Sequence, residues 1–288
     1  MSGPSRTFGV DLELVPADTA ALPLTDLTIR RGYGAFDFLR VERGVPLFVD
    51  DHLARLERSA DLLGLAPRAA PDAIRAHVFD VIDANRSGSF GMQLFVTGGD
   101  PVDGFEPGTP RTLVLVVDLP AYPASYYQDG VSLLMHRFER DLPEAKTTNY
   151  FNAVRHARSL RAGGAADLLY HDGRRVLETT RCNLFVASST GGWVTPSNGV
   201  LPGVTRKHML AALAEDEPAE VRDVTLDELG SAREAFITST TKGVMPVVRI
   251  DDSQVGEGVP GEATRRAEAA FLRRRDAYLA SFAGVTAS

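Results

Sequence analysis

Lysine is scarce in this chain, and one of its three copies lies in a polar segment. Among 31 lysine and arginine residues, only Lys146, Lys207 and Lys242 are lysine. Arginine keeps its proton in proteins, whereas a lysine amine becomes a nucleophile when burial or a neighbouring charge lowers its pKa. Lys146 lies in the stretch Glu-Ala-Lys-Thr-Thr-Asn-Tyr, which ends at Tyr150. Its amine is the first candidate for covalent chemistry with an aldehyde, and a solvated loop lysine is the alternative.

A carboxylate further along the chain extends this chemistry. Glu178 follows Val176 and Leu177 and precedes the apolar residues 184–186. A carboxylate so placed needs a partner, because an unpaired buried charge is costly. Arg181 offers one partner in a structural ion pair. The other is the protonated pyridine nitrogen of a bound pyridoxal phosphate, where a nearby anion keeps the nitrogen charged and the ring electron-withdrawing.

Three further places are suited to a phosphate group. Residues 201–206 put Gly203 and Thr205 at an expected helix start, where free N–H groups and the helix dipole favour an anion. The hydroxyls of 238–241 lie at a strand end, and Arg55 on an early helix can pair with phosphate in a bidentate manner. Each feature also fits an ordinary cap, strand end or surface arginine, so the phosphate site is a hypothesis.

Other chemistries find no support in the sequence. Gly32-Tyr33-Gly34 lacks the third glycine and the preceding strand of a dinucleotide loop. The six histidines contain no His-x-x-x-His pair, so we expect no metal. Cys182 is the single cysteine, which excludes an intramolecular disulfide and predicts a small buried side chain.

Composition limits the partners. The 288 residues are 44% hydrophobic and 24% charged, as in ordinary globular proteins. A net charge of −7 argues against nucleic acid or an anionic membrane as the main partner. The N-terminal residues lack the apolar core of a signal peptide, so we expect a cytoplasmic protein.

The elements that must position these residues are mixed helices and strands. Hydrophobic periodicity and turn residues predict strands over 7–15, 32–41, 46–49, 90–97, 112–117, 131–138, 168–171, 175–177, 183–187, 235–240 and 247–250. Helices are predicted from 50 or 51, from 71, and over 150–162, 203–214 and 262–281. Because helices and strands do not alternate strictly, the fold class is predicted to be α+β.

One segment has the composition of a linker. Residues 119–127 contain two prolines and three tyrosines. The sequence therefore predicts a smaller N-terminal α+β domain over 1–118, a linker over 119–127, and a larger C-terminal domain over 128–288 that carries Lys146.

Taken together, these motifs resemble those of class IV aminotransferases, the fold type IV group of pyridoxal-phosphate enzymes. The matching stretches run in family order over most of the chain, at 31–37, 52–60, 146–150, 178–185, 201–206 and 238–247. The resemblance implies two domains with the cofactor between them. It also implies a homodimer in which loops of the neighbouring subunit help to enclose the substrate, an amino acid or a 2-oxo acid.

The resemblance also implies roles for individual residues. Lys146 would be the Schiff-base lysine and proton shuttle, and Glu178 would pair with the pyridine nitrogen. Tyr150 would hydrogen-bond the phenolic oxygen of the cofactor ring. The expected phosphate ligands are Arg55, Val204, Thr205, Ser239 and Thr240. The expected substrate-binding residues are Arg31, Phe36, Arg181, Thr241 and Lys242.

The subfamily is less well defined by sequence. The interval from Lys146 to Glu178 and the stretch 239–241 resemble D-amino acid aminotransferases. However, the Arg-x-His pair with which the best-known of these enzymes bind the substrate α-carboxylate is absent from 98–103. Phe36 stands where they have tyrosine, and Asp37 replaces a common glutamate. We expect a D-amino acid transaminase of the D-alanine or D-glutamate type that binds the carboxylate through Arg30, Arg31, Arg181 or Lys242.

Other functions remain open at this point. A branched-chain L-amino acid transaminase, an (R)-amine transaminase and an aminodeoxychorismate lyase use the same scaffold. A binding protein that keeps the fold without catalysis is a further alternative.

Overall fold

The computed structural model describes residues 6–86, 88–189, 191–215 and 217–285, with side chains up to residue 282. Its contacts define two compact units. The first contains Met1–Leu119, Ala145–Tyr150 and Phe282–Ser288, and the second contains Pro120–Glu144 and Phe151–Ser281. Each unit combines a sheet with helices, which confirms the predicted α+β class.

In its described residues, the first unit has a six-stranded sheet. The strands are β1 (Thr7–Val10), β2 (Glu13–Pro16), β3 (Gly34–Glu42), β4 (Val45–Pro46), β5 (Phe90–Thr97) and β6 (Thr112–Val117). The helices are α1 (Leu27–Arg31), α2 (Val49–Leu62) and α3 (Pro71–Ala84). The strand order is β2-β1-β6-β5-β3-β4, and all neighbours are antiparallel.

Helix α2 buries one continuous face. The buried positions are Val49, His52, Arg55, Leu56, Ser59 and Ala60, and this spacing of three and four residues forms a single stripe on a helix. The stripe contacts β3. Leu56 and Ala60 are apolar, but three members of the stripe are polar: His52, Arg55 and Ser59. These polar side chains need partners inside the unit.

The segment Ala145–Tyr150 belongs to the first unit because it pairs with β3. Phe36 N donates to Lys146 O at 2.9 Å, and Thr148 N donates to Gly34 O at 2.9 Å. This grouping by contacts differs from the expected domain limits, which placed Lys146 with residues 128–288. The reason is hydrogen bonding between residues more than a hundred positions apart, which local patterns do not reveal. The domain limits themselves stay a prediction.

In the second unit, the described residues form a larger mixed sheet. Its strands are β7 (Val131–Arg137), β8 (Asp167–His171), β9 (Arg175–Thr179), β10 (Asn183–Ala187), β11 (Trp193–Thr195), β12 (Glu220–Val221), β13 (Val224–Thr225), β14 (Glu234–Ser239), β15 (Gly243–Ile250) and β16 (Ser253–Gln254). The order is β12-β11-β10-β14-β15-β7-β8-β9-β13, with β16 beside β15. The helices are α4 (Ser125–Gln128), α5 (Phe151–Ala162), α6 (Val204–Leu213), α7 (Leu226–Gly230) and α8 (Glu262–Val285).

The structure corrects two local predictions, the strands expected over 7–15 and 46–49. The strand expected over 7–15 is a hairpin, because Asp11 and Leu12 have positive φ angles of 49° and 69° that reverse the chain. The strand expected over 46–49 ends at Pro46, and α2 begins at Val49. The expected linker 119–127 contains the start of α4, and three of its side chains pack against the core of the second unit: Tyr122, Tyr126 and Tyr127. Among the described residues, no helix is both long and apolar enough to cross a membrane.

Candidate active site

The backbone of Lys146 is fixed on two sides within the first unit. Its carbonyl oxygen accepts a hydrogen bond from Phe36 N in β3 at 2.9 Å. Its own N–H donates to Ser59 Oγ at 3.0 Å, and that hydroxyl donates to Arg55 O on α2. The lysine is therefore attached to both the sheet and the helix, which leaves its backbone few alternative positions.

The amine of Lys146 lies against two aromatic side chains. Its Nζ is 3.4 Å from Tyr150 Oη and 4.7 Å from the centre of the Phe36 ring. Phe36 packs edge-on against Tyr150, with ring centres 5.5 Å apart, and it stacks on Phe95. An aromatic face favours a cationic amine, and a phenol at this distance can exchange a proton with it after a small movement. The geometry therefore provides an amine with a proton-relay partner and an apolar wall.

Arg55 lies in a buried polar cluster of the same unit. The Asp37 carboxylate accepts from Arg55 Nε at 2.8 Å and from Arg55 Nη2 at 2.7 Å. His52 Nδ1 is 2.7 Å from the same carboxylate. The pKa of Asp37 lies well below its usual value: burial alone raises it, but the charge of Arg55 and the hydrogen bonds together outweigh burial. Asp37 is therefore a carboxylate at neutral pH.

In the second unit, Glu178 is buried on β9 and has three polar neighbours. Its Oε1 accepts from Arg140 Nε at 2.9 Å and from Arg140 Nη2 at 2.7 Å. Its Oε2 accepts from Leu201 N at 3.0 Å and from Asn183 Nδ2 at 3.3 Å. These bonds offset the cost of burying the negative charge. Neither Arg140 nor Asn183 was predicted from the sequence, because nothing local links Arg140 to a carboxylate 38 positions away.

Helix α6 begins beside the Glu178 group. Its N-terminal cap is Gly203, and no side chain caps the helix. The first intrahelical bond runs from Lys207 N to Gly203 O, so the amides of Val204 and Thr205 lack intrahelical acceptors. A side chain at position 203 would collide with Asn183 Oδ1, so the close approach of this helix start to Asn183 requires glycine. This ten-residue helix therefore presents N–H groups for an anion where the sequence predicted a phosphate site.

Hydroxyl groups cluster where β14 ends. Ser239 Oγ accepts from Lys242 N at 3.3 Å, which closes the turn through Thr240 and Thr241. Thr238 Oγ1 is buried and has no hydrogen-bond partner among the described residues. An unsatisfied buried hydroxyl is uncommon in a native fold and is consistent with a missing polar partner.

Lys242 is almost wholly buried in the second unit. Its Nζ is 3.4 Å from Cys182 Sγ and 5.3 Å from the centre of the Tyr122 ring. Burial alone lowers the pKa of this amine, but electrostatic interactions with Cys182 and Asp167 outweigh burial and raise the pKa above its ordinary value. Lys242 is therefore a buried cation. Cys182 is buried as the sequence predicted.

The remaining predicted residues lie at the surface of their units. Arg31, at the end of α1, donates to Arg30 O at 3.0 Å and lies 5.6 Å from the centre of the Phe105 ring. Arg181 is exposed in the turn between β9 and β10. The structure thus divides the predicted residues into two groups. The first unit holds Arg31, Phe36, Arg55, Lys146 and Tyr150, and the second holds Glu178, Arg181, Val204, Thr205, Ser239, Thr240, Thr241 and Lys242.

Comparison with known proteins gives the family. Residues 34–250 match the model of amino-transferase class IV, so the chain belongs to the class IV aminotransferases. It is a pyridoxal-phosphate-dependent aminotransferase of fold type IV, as the resemblance in the sequence predicted.

Individual relatives differ in their substrates. A D-alanine aminotransferase of Bacillus licheniformis is 29% identical over 265 residues, which cover 90% of this chain and 93% of that protein. A solved branched-chain amino acid aminotransferase of Escherichia coli has a TM-score of 0.85 at 23% identity, covering 93% of this chain and 94% of that one. A 4-amino-4-deoxychorismate lyase from Pseudomonas aeruginosa has a TM-score of 0.79 at 28% identity, covering 91% of this chain and 97% of that one.

The residues present fit pyridoxal phosphate. The amides at the start of α6 and the unpartnered hydroxyl of Thr238 are donors suited to a phosphate. The amine of Lys146 suits an aldehyde, and the buried carboxylate of Glu178 suits a pyridinium proton. No group of three or more His, Cys, Asp or Glu side chains in the described ranges could hold a metal ion.

Proposed function

We propose that this protein is a D-amino acid transaminase that exchanges an amino group between a D-alanine or D-glutamate type donor and a 2-oxo acid by a ping-pong mechanism. The observation that carries this choice is the similarity to D-alanine aminotransferase of Bacillus licheniformis over 90% of the chain. The interval from Lys146 to Glu178, which resembles the D-amino acid enzymes, supports the same choice.

The proposed roles follow from the geometry of each unit. Bound pyridoxal phosphate would supply an aldehyde and an electron-withdrawing ring. Lys146 Nζ would bond to the aldehyde and later take the proton from the substrate α-carbon. Tyr150 Oη, 3.4 Å away, would bond to the ring oxygen and influence the protonation of that amine. Glu178, held in place by Arg140, would accept a hydrogen bond from the protonated ring nitrogen and so keep it charged.

The phosphate ligands are proposed from both units. Arg55 would contribute a guanidinium that Asp37 already orients. Val204 and Thr205 would contribute helix N-terminal amides, and Ser239 and Thr240 would contribute hydroxyls. Each of these groups can donate a hydrogen bond to a phosphate oxygen.

The α-carboxylate of the substrate requires a cation. Lys242 is a buried cation beside the proposed phosphate ligands, and Thr241 lies next to it with its hydroxyl 3.1 Å from Tyr122 Oη. Arg31 and Arg181 are exposed and would reach a ligand by moving their side chains. We propose that one or more of these cations replaces the Arg-x-His pair.

Replacing each cation tests this part of the proposal. Arg31→Ala, Arg181→Ala and Lys242→Met should be compared by the KM for D-alanine. At least one variant should raise KM about tenfold or more, the scale of losing a charged hydrogen bond. Unchanged KM in all three variants would rule out this carboxylate clamp. Lys207→Met on the exposed side of α6 is a matched control that should leave KM unchanged.

Three other substrate classes compete with this proposal. Branched-chain L-amino acid aminotransferases share the fold, and the deoxychorismate lyase is a solved relative at 28% identity. An (R)-amine would need no carboxylate clamp. A lyase differs from all transaminases because it need not convert the cofactor to its amine form.

A half-reaction panel distinguishes these substrates. The absorbance of the lysine-bound cofactor would be followed after addition of D-alanine, D-glutamate, L-leucine, L-glutamate or (R)-1-phenylethylamine, and its recovery after addition of a 2-oxo acid. Fast loss with D-alanine or D-glutamate and recovery with oxo acid are expected. Faster loss with L-leucine would replace the proposal with a branched-chain enzyme.

The homodimer and the cytoplasmic location expected from the sequence stay predictions. Light scattering of the purified protein measures the first directly, and a mass of one chain would contradict it.

A further inference from the structure

Asp37, His52 and Arg55 form a deeply buried polar cluster in the described part of the first unit. Their exposed fractions are 0%, 1% and 7%. Asp37 lies on β3, and the other two lie one helical turn apart on the buried face of α2. Burying three polar side chains between a helix and a sheet is costly unless they form hydrogen bonds or ion pairs with each other or with a ligand.

The cluster fixes the plane of the Arg55 guanidinium. The two carboxylate oxygens of Asp37 accept hydrogen bonds from Arg55 Nε at 2.8 Å and from Arg55 Nη2 at 2.7 Å, which is a bidentate arrangement. Such parallel bonds hold both the position and the orientation of the planar group. Arginine carries five N–H donors in a fixed planar fork, so fixing two of them sets the direction of the rest.

His52 in turn holds Asp37. Burial lowers the pKa of His52 below its ordinary value of 6.5, although Asp37 opposes this, so the ring is neutral at physiological pH. Its Nδ1 is 2.7 Å from Asp37 Oδ1 and must donate, because Asp37 is ionised and has no proton to give. The neutral imidazole thus orients the carboxylate without adding a second positive charge.

We propose that Asp37, itself oriented by His52, is a positioning residue that presets Arg55 for the phosphate of the cofactor. The inference rests on the proposed function, in which Arg55 binds that phosphate. It adds that the affinity for phosphate depends on two residues that do not touch the phosphate.

The direction in which Asp37→Asn changes the affinity for phosphate distinguishes a positioning effect from a simple effect of charge. Asp37 carries a negative charge, so its removal would strengthen the attraction between Arg55 and a phosphate if charge were all that mattered. If positioning dominates, Asp37→Asn instead weakens phosphate binding, because Arg55 must then be immobilised at the expense of binding.

The test compares two ligands that differ only in the phosphate. Full-length wild type and Asp37→Asn would be titrated with pyridoxal phosphate and with pyridoxal, and binding followed by tryptophan or cofactor fluorescence. We expect the dissociation constant of pyridoxal phosphate to rise about tenfold, with that of pyridoxal nearly unchanged. Unchanged or tighter binding of pyridoxal phosphate would overturn the proposal, and so would equal weakening of both ligands.

Matched controls exclude a general effect of losing a buried polar group. Asp26, 1% exposed in the same unit, binds Thr97 Oγ1 and the amide of Thr28. Asp26→Asn should lower stability without changing the preference for the phosphorylated ligand. An equal change of preference in this control would overturn the proposal.

A second pair of variants keeps the test decisive if Asp37→Asn fails to fold. His52→Asn should weaken pyridoxal phosphate binding about threefold and leave pyridoxal binding unchanged, since Asp37 loses one of its donors. His77→Asn removes another buried imidazole, 3% exposed on α3, and should change neither ligand. Identical behaviour of the two histidine variants would overturn the proposal.

A double-mutant cycle separates failure of this inference from failure of the proposed function. Arg55→Lys cannot form the bidentate pair, so adding Asp37→Asn to it should not weaken phosphate binding further. If Arg55→Lys alone leaves the preference for pyridoxal phosphate over pyridoxal intact, Arg55 is not a phosphate ligand. Both the proposed role of Arg55 and the positioning role of Asp37 then fail. If Arg55→Lys removes the preference but Asp37→Asn does not, only the positioning role is overturned.

Discussion

Gly203→Ala should damage the second unit through a single side-chain collision. A Cβ at position 203 would overlap Asn183 Oδ1 and lie 3.1 Å from Asn183 Cγ. Asn183 is 5% exposed, and its Nδ2 donates to Glu178 Oε2 at 3.3 Å and to Leu201 O at 2.9 Å. The Asn183 amide cannot rotate away without breaking both hydrogen bonds. It therefore cannot move aside to make room for a methyl group at position 203.

The cost can be estimated from these contacts. Loss of a neutral hydrogen bond costs about 1 kcal/mol, and the bond to the Glu178 carboxylate about 1.5 kcal/mol or more. Residual overpacking adds about 1 kcal/mol. The free energy of unfolding should therefore fall by about 3.5 kcal/mol, which corresponds to a decrease in Tm of roughly 7–14 °C for a unit of this size.

Urea unfolding of the full chain measures this loss, and two variants test the reasoning. Gly230→Ala, at the end of α7, is the matched control, because a Cβ there meets nothing within 4 Å. In an Asn183→Ala background the collision partner is gone, so Gly203→Ala should then cost less than about 1 kcal/mol. If Gly203→Ala has the stability of wild type, or costs as much in the Asn183→Ala background, the collision account is refuted.

Three further outcomes are expected. Tyr150→Phe removes the hydroxyl 3.4 Å from Lys146 Nζ and should slow the half-reaction about tenfold while the cofactor stays bound; an unchanged rate would exclude a role for that hydroxyl. Glu178→Gln should slow the half-reaction roughly 100-fold, the scale of losing one electrostatic stabiliser, and an unchanged rate would contradict pairing with the ring nitrogen. Burial lowers the pKa of His52 below 6.5, so below that pH the unfolded chain binds more protons than the folded one. Stability should therefore fall with decreasing pH, by up to about 1.4 kcal/mol per pH unit from this residue. In urea titrations His52→Asn should flatten that slope, and an identical slope would show that His52 is not the group responsible.

Much of the fold follows from local patterns. The strands at 90–97, 112–117 and 183–187 and the start of α3 at Pro71 have the predicted bounds, because short apolar runs or a proline at the first helical position define them locally. The hairpin at Asp11 and Leu12 escaped prediction because neither residue is glycine or asparagine, the usual residues for positive φ.

The reactive residues of the site could be predicted from the sequence, but most of the residues that hydrogen-bond to them could not. Lys146 and Glu178 stand out by chemical type, but Arg140 comes to Glu178 through the tertiary fold alone. The buried cluster on α2 did have a signal. His52 and Ser59 share the spacing of Arg55, Leu56 and Ala60, so polar side chains on an apolar helix stripe could have been recognised as candidates.

The central claim is the covalent attachment of the cofactor to one lysine. Borohydride reduction of the purified, cofactor-supplied protein, followed by peptide mass spectrometry, tests it directly, since the chain contains only Lys146, Lys207 and Lys242 as amine side chains. The account predicts a single reduced adduct, on Lys146, and no trapped cofactor in Lys146→Ala. An adduct on either other lysine, or undiminished trapping in Lys146→Ala, would contradict it.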